Sequence, residues 1–429
     1  MIQVDGNTLY ILKEVTIVMQ ITEEIKNGIY WMGCNDFRTE LFERIFPIPE
    51  GVTYNSYFID DEKTCVIDAM DKGCRDEFLE DVEYLLHGRK LDYFVLQHME
   101  PDHASSAVAL LEKYPDAKII GQPQTFKLFE QFFRTPMPDR YVAVKEGDQL
   151  ALGKHTLQFV KAPMVHWPEV IMSYDLTDHV LFSADAFGMF GTLGNVYADQ
   201  VDFEENYLDS ARRYYVNIVG KFGPQVVNVL KKASGLPIDF ICPLHGVVFR
   251  TPATIKYIIE KYLHWAKYVP EKKGVVIAFS SIYGNTERVA CALAHKLSQR
   301  GIQDVRLYDV AKIHSSYITA KAWEYSHLVL AAPTYNLNLF LPMENFLHDL
   351  KTLMFQKRTI GVIACHSWAS AAYKTMVDYV ENQFKCCELL EPAMDIKSSM
   401  KDDQECELDD LADKLVESIN EYPDPKTMI

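Results

Sequence analysis

No Cys-x-x-Cys pair occurs in the 429 residues, although nine cysteines are scattered along them. That spacing excludes a thiolate zinc or iron-sulfur knuckle and predicts no disulfide framework, so a reducing, cytoplasmic setting is expected. No G-x-G-x-x-G fingerprint is present, which argues against a dinucleotide held in the NAD manner. No apolar run approaches the roughly 18 residues of a membrane span. The N-terminus also lacks the basic region followed by an apolar core that marks a secretory signal. Basic residues are in deficit, 43 Lys+Arg against 60 Asp+Glu for a net charge of −17. Nucleic acid and anionic membrane surfaces are therefore excluded as partners, because both are bound through a Lys/Arg excess.

What is present is a large apolar fraction, 48% of the chain, and length enough for two or three domains. Residues 1–18 read as a poorly patterned extension without an assigned role. Residues 19–268 carry short β-rich runs such as Val52 to Ile59, Tyr93 to Gln97, Val180 to Ser183 and Phe240 to Cys242. Helical stretches fall between them at Asp76 to Leu86, Ser105 to Tyr114 and Leu208 to Val219, which predicts a mixed α/β domain. Residues 269–274, a proline followed by charges and a glycine, read as a linker. From 275 to 424 apolar strands alternate with helices of 10 to 15 residues. That alternation predicts βαβ units and one doubly wound parallel sheet.

The densest chemistry is His98-Met99-Glu100-Pro101-Asp102-His103, directly after the apolar strand Tyr93 to Gln97. In an extended segment alternate side chains share a side, so His98, Glu100 and Asp102 can converge, and a helix beginning there turns His103 in. Three further strand ends deliver ligand-type residues: His166 after Phe159 to Val165, Asp185 after Val180 to Ala184, and His245 after Phe240 to Leu244. Four imidazoles and three carboxylates suffice for two metal ions bridged by a carboxylate. Hard oxygen donors without thiolate favour iron or manganese over structural zinc.

The second half carries a different signal. A strand runs into Ser281-Ile282-Tyr283-Gly284-Asn285-Thr286 and then a helix, which offers backbone N–H groups to a phosphate. The loop resembles the flavodoxin phosphate loop, with Tyr283 where a small hydroxyl residue is usual. Two later strand ends carry Pro333-Thr334-Tyr335-Asn336 and Ser367-Trp368-Ala369. In a doubly wound sheet such loops meet beyond the carboxyl ends of the strands, where Trp368 or Tyr335 can stack on an isoalloxazine ring. One phosphate loop favours FMN over FAD.

Taken together, the chain resembles the flavodiiron proteins (A-type flavoproteins) over roughly residues 20 to 425. The likeness implies a metallo-β-lactamase-like αββα domain followed by a flavodoxin-like domain, with FMN and a non-haem pair of iron ions. It implies that His98, Glu100 and His166 hold one iron, that Asp102, His103 and His245 hold the other, and that Asp185 bridges. Hydrolases of the same superfamily usually have His where this chain has Glu100. The implied activity is reduction of nitric oxide to nitrous oxide, of dioxygen to water, or both. Tyr215 is expected either as a hydrogen-bond donor near bound substrate or as a packed core tyrosine. Electrons are expected from a separate donor such as rubredoxin or a reduced deazaflavin coenzyme, and a head-to-tail homodimer or tetramer is expected to bring one subunit's flavin to its partner's irons. The competing readings are a metallo-hydrolase with a flavodoxin-like appendage and a non-catalytic flavin redox carrier.

Overall fold

The structure, a computed structural model, describes residues 20–428, so the extension of residues 1–18 lies outside the described residues. The N-terminal part holds a seven-stranded sheet from Thr22–Lys26 to Tyr141–Ala143 and a five-stranded sheet from Gln149–Ala151 to Phe240–Cys242. One continuous apolar cluster, which includes Phe58 and Phe94 from the first sheet and Phe159 and Phe182 from the second, joins them. In the second sheet Thr156–Lys161 and Val180–Phe182 each lie antiparallel to Ile171–Asp175, while Val180–Phe182 pairs in parallel with Phe240–Cys242. The three outgoing ends therefore share one edge. His166, Asp185 and His245 follow from it.

The C-terminal part is one parallel sheet flanked by helices. Its five parallel strands lie in the order Val305–Asp309, Lys272–Phe279, Tyr325–Tyr335, Thr359–His366, Glu388–Lys397. In chain order this is 2-1-3-4-5, the flavodoxin-like arrangement with its switch point between the first and third strands. The expected helix from Ser105 is divided by a turn into Pro101–Ala104 and Ala107–Lys113, because Pro101 starts a helix one turn earlier. The expected Leu208 to Val219 helix is regular only over Leu208–Tyr214 and then widens into a π-type turn over Tyr215–Val219.

One expectation needs correction. Cys34 and Cys74 are joined in a disulfide with Cα atoms 6.2 Å apart, a pairing that a separation of 40 residues does not signal. Within the 269–274 connection Lys272 is exposed, but the Glu271 side chain is not. Glu271 is buried and accepts from Arg212 Nε, from Arg212 Nη2 at 3.2 Å, from Lys261 Nζ at 2.5 Å and from Trp265 Nε1 at 2.8 Å. Arg212 also reaches Asp209 and Glu324, and Lys321 closes the network on Asp209 and Glu324, each at 2.7 Å. The two halves thus meet across a buried charge cluster.

His327, on the central strand Tyr325–Tyr335, is buried between two hydroxyls. Ser326 Oγ lies 2.8 Å from its Nδ1 and Ser418 Oγ 2.8 Å from its Nε2. Burial, reinforced by the Arg358 guanidinium, pulls its pKa down to about 4 from the ordinary 6.5. The unfolded chain therefore binds a proton that the folded chain rejects between those values, so stability rises with pH across the window. The expected result is that unfolding of the C-terminal half shifts to lower temperature as pH falls from 6.5 towards 4. The pH slope is expected to be shallower in His327→Gln when both are followed by calorimetry.

Candidate metal centre and flavin cradle

The first site is built from strand ends. Tyr93–Val95 leads through Leu96 and Gln97 to His98, and Glu100 in extended conformation precedes the short helix Pro101–Ala104, whose first turn carries Asp102 and His103. With His166, Asp185 and His245 the seven side chains fall into two groups, His98, Glu100, His166 and Asp185 in one and Asp102, His103 and His245 in the other. Within each group the donor atoms lie within 4.8 Å of one another.

Asp185 connects the groups. Its Oδ2 lies 3.2 Å from His98 Nε2 and 3.1 Å from His166 Nε2, while its Oδ1 lies 3.0 Å from His103 Nε2. Glu100 Oε2 stands 2.9 Å from His166 Nε2 and 3.3 Å from His98 Nε2, and Asp102 Oδ2 stands 3.3 Å from His103 and 3.2 Å from His245.

These contacts fit cations better than a set of hydrogen bonds. Among the described residues both oxygens of Asp102 and of Asp185 are buried without a hydrogen-bond partner, and His103 Nε2 faces His245 Nε2 at 3.0 Å. Two facing imidazole nitrogens and four unpartnered carboxylate oxygens in a buried pocket are costly unless positive charge lies between them. Burial opposes ionisation of Asp185, yet the His103 and His98 rings outweigh it and hold its carboxyl well below the usual range. Burial likewise opposes ionisation of Glu100, and hydrogen bonds to His166 and His98 hold it low. Ionised carboxylates are what a metal pair requires.

The second site lies at the switch point of the parallel sheet. The helix Asn285–Gln299 starts without a side-chain cap, and Gly284 precedes it with φ of +88° and open space where a Cβ would stand. Free N–H groups and a positive helix end favour a phosphate there. A cavity of about 220 Å³ is lined by Ser281, Ile282, Tyr283, Asn285 and Thr286 of the first loop, by Pro333 to Leu337, and by Cys365 to Ala369 with Ser398. Ser280 Oγ and Ser370 Oγ are buried beside these loops without partners among the described residues. The arrangement fits a phosphate-bearing planar ligand. Trp368 is 83% exposed and Tyr335 49% exposed, as stacking surfaces left uncovered. The Thr334 hydroxyl is committed elsewhere, because its Oγ1 accepts from the backbone N–H groups of Ala371 and Ala372.

Comparison with known proteins agrees with both halves. Residues 52–246 match the ODP family beta lactamase and residues 277–387 match flavodoxin. The rubredoxin-oxygen oxidoreductase of Megalodesulfovibrio gigas is 31% identical over 84% of this chain and 89% of its own. This chain belongs to the flavodiiron protein family. The nitric oxide reductase of Moorella thermoacetica is 30% identical over 82% of this chain and 88% of its own. Among solved structures, rubredoxin oxygen:oxidoreductase from Desulfovibrio gigas superposes with a TM-score of 0.87 at 27% identity, covering 95% of this chain and all of that one. The flavodiiron protein from Giardia intestinalis superposes with a TM-score of 0.86 at 26% identity, covering 93% of this chain and 98% of that one.

Sequence reasoning missed the groups that aim the ligands in this flavodiiron protein. Glu169 Oε1 lies 3.0 Å from His98 Nδ1, and the Thr53 carbonyl lies 2.8 Å from His245 Nδ1, so both rings present Nε2 to the centre. Such partners fix tautomer and orientation in metal sites. Asp68 accepts from the backbone N–H groups of Gln97 and His98 and from Gln97 Nε2, anchoring the start of the ligand loop. Asn55 donates to the carbonyls of Pro243 and Gly246 and accepts from Trp31 Nε1, pinning the His245 loop. Only Asp68 carried a signal, as an acidic residue after the apolar strand Cys65–Ile67.

Tyr215 is not the tyrosine at the site. It packs on Tyr262 and Trp265, whereas the Tyr214 ring lies 5.4 Å from the His245 ring, tilted by 56°, with Phe42 and Phe190 around it. One residue turns a helix by about 100°, so the neighbour faces the metals instead. Burial, followed by the charges of Asp185, Asp102 and Glu100, raises the Tyr214 phenol well above its ordinary value, so it stays a donor. Its hydroxyl has no hydrogen-bond partner among the described residues.

Proposed function

We propose that this flavodiiron protein is an oxidoreductase that reduces nitric oxide to nitrous oxide, dioxygen to water, or both. The observation that carries the reading is Asp185, which presents one oxygen to His98 and His166 and the other to His103. A single buried carboxylate thereby joins two donor groups. When bound, FMN passes on its two electrons one at a time and an iron pair cycles between ferrous and ferric states.

The chain's own residues supply the setting. His98, Glu100 and His166 would hold one iron, Asp102, His103 and His245 the other, and Glu100 adds a hard negative donor where a hydrolase of this fold usually has His. That carboxylate favours an iron pair over hydrolytic zinc. Phe42, Phe190 and Tyr214 wall the His245 side and exclude water. Ser281 to Thr286 would hold the flavin phosphate, with Trp368 and Tyr335 against the ring.

The reading includes a head-to-tail homodimer or tetramer in the cytoplasm, fed by rubredoxin or a reduced deazaflavin coenzyme. It is supported by two apolar surfaces left in water. Leu41 and Ile45 are exposed on the hairpin that carries Phe42, while Leu337, Leu341 and Trp368 are exposed around the flavin cradle. Patches of this kind mark interaction sites. No helix among the described residues is long and apolar enough to cross a membrane.

The test is anaerobic gas consumption by iron-replete, flavin-loaded protein with a reduced donor, nitric oxide and dioxygen being supplied separately. At least one gas is expected to be consumed at about 1 s⁻¹ or faster. Negligible consumption of both by fully loaded protein contradicts the reading. Tyr214→Phe is expected to keep its metal and flavin content and to slow turnover by about tenfold or more, through loss of a proton donor at the centre. Tyr215→Phe is expected to turn over like the parent protein.

A further inference from the structure

The hairpin of Leu41–Phe42 and Phe46–Pro47 pairs with none of the larger sheets among the described residues, yet it reaches the metal centre. Phe42 meets the His245 ring edge to face at 5.5 Å and packs on Phe190 at 5.4 Å and on Tyr214 at 6.3 Å. Beside Phe42, the Glu43 carboxyl comes within hydrogen-bond reach of Glu100. The hairpin therefore meets both ligand groups, His245 of one and Glu100 of the other. A pairing of two residues with two cannot hold its own position in water. What places it must come from outside.

Arg213 reaches it from the helix Leu208–Tyr214. This arginine is 6% exposed and, among the described residues, has no carboxylate within 4 Å. Its guanidinium lies over the Tyr317 ring at 3.7 Å from the centroid and over the Phe190 ring at 5.0 Å. Nη2 donates to the Pro47 carbonyl at 2.6 Å, and Nε and Nη2 donate to Ser316 Oγ at 3.0 and 2.9 Å. The Tyr317 hydroxyl donates to the same Pro47 carbonyl at 3.3 Å. Ser316 and Tyr317 belong to the helix Ser315–Glu324 of the C-terminal half, so three separate pieces of chain meet at one cation. A buried charge is costly unless its donors are used, and here neutral acceptors and two ring faces use them. A planar fork can serve a ring face and two acceptors at once, which an ammonium cannot.

We infer that Arg213 is a positioning residue for the metal centre, fixing the hairpin against the C-terminal half so that Phe42 and Phe190 stay in place as the wall beside His245. It touches no metal ligand and acts through Pro47 and Phe190. Phe190 is reached from both sides, by the guanidinium and by Phe42, so the ring carries the position of Arg213 to the wall. The consequence for turnover rests on the reading of the metal centre proposed above. The placement of the hairpin does not, so the two can fail separately.

The experiment is hydrogen-deuterium exchange of the loaded protein, read by mass spectrometry over residues 40–48, where the amides of Arg44, Ile45 and Ile48 donate to the carbonyls of Leu41, Phe42 and Glu40. Arg213→Met keeps an apolar chain of similar length. It is expected to speed exchange there by about tenfold or more, the loss that goes with a hydrogen bond from a charged donor. The same variant is expected to load both irons and the flavin, to release iron to EDTA about tenfold faster and to turn over about tenfold more slowly. Arg213→Lys, which retains the charge without the fork, is expected to fall between the two. Asn217→Ala is the control, because Asn217 donates to the carbonyls of Arg213 and Ser316 at 2.8 and 3.2 Å in the same junction without a hydrogen bond to the hairpin. It is expected to exchange over 40–48 like the parent. Parent-like exchange of Arg213→Met overturns the inference, as does an equal rise in Asn217→Ala. A rise that leaves iron release and turnover unchanged overturns it too. If Arg213→Met does not fold, Tyr317→Phe decides, since it removes the second bond to the Pro47 carbonyl. Exchange about threefold faster over 40–48 is then expected, and no rise overturns the inference.

Discussion

Replacing Asp185 with Asn is expected to lower iron content from about two per chain to one or fewer, with loss of metal affinity on the order of 10²-fold or more and collapse of gas consumption. The floor of that range is the upper end of what is usual for partners that only orient a ligand. Asp185 is itself the connecting group, with oxygens 3.0 to 3.2 Å from His98, His166 and His103. An amide keeps the shape of the side chain and one acceptor, so packing is preserved while the charge that balances two cations is removed. Metal analysis by plasma mass spectrometry, with the flavin spectrum as an internal control, checks this. Retention of two irons and of activity contradicts the bridging role. Unchanged flavin content alongside iron loss separates the site effect from misfolding.

Arg212→Met is expected to destabilise the protein by roughly 3–5 kcal/mol, the usual cost of removing one partner from a buried ion pair. Arg212 is 1% exposed, and the carboxylates it faces, Glu271 and Glu324, are 3% and 2% exposed. Burial raises the Glu271 carboxyl, but the Arg212 guanidinium and then Lys261 bring it far below the usual carboxylate value. Removing Arg212 leaves Lys261 alone to compensate Glu271, and the variant gains a carboxyl that takes up a proton on folding. The sign follows from linkage. In the parent protein this group adds stability above its ordinary pKa near 4.5, and that stability is lost as pH falls. The variant is expected to lose stability mainly at neutral pH and to differ least from the parent in acid. Denaturant unfolding at several pH values checks this, and a pH-independent difference contradicts it. Because the cluster joins the two halves, the variant is also expected to unfold in two steps.

The parts of the molecule legible in sequence are those whose signal is local. His98, His166, Asp185 and His245 each follow an apolar strand, and the topology of the second sheet explains why three of those ends meet. Ser281 to Thr286 is likewise a strand-to-helix turn read directly from its residue types. What escaped depends on distant chain. Glu169 and Thr53 reach the ligand rings across 71 and 192 residues, and neither carries a local mark of that role. Tyr214 and Tyr215 are adjacent, so their difference lies in helix phase alone. The strand Glu388–Lys397 was not expected, because it sits at the sheet edge, is half-exposed and contains Pro392, which weakens an apolar pattern. Cys34 and Cys74 met through the fold rather than through spacing.

The central claim is that seven side chains of one domain hold two metal ions joined by Asp185. Diffraction data collected on either side of the iron absorption edge from crystals of the loaded protein test it most directly. Two anomalous peaks per chain are predicted, one among His98, Glu100, His166 and Asp185 and the other among Asp102, His103, His245 and Asp185. A single peak, or a signal at the zinc edge with none at the iron edge, contradicts the account.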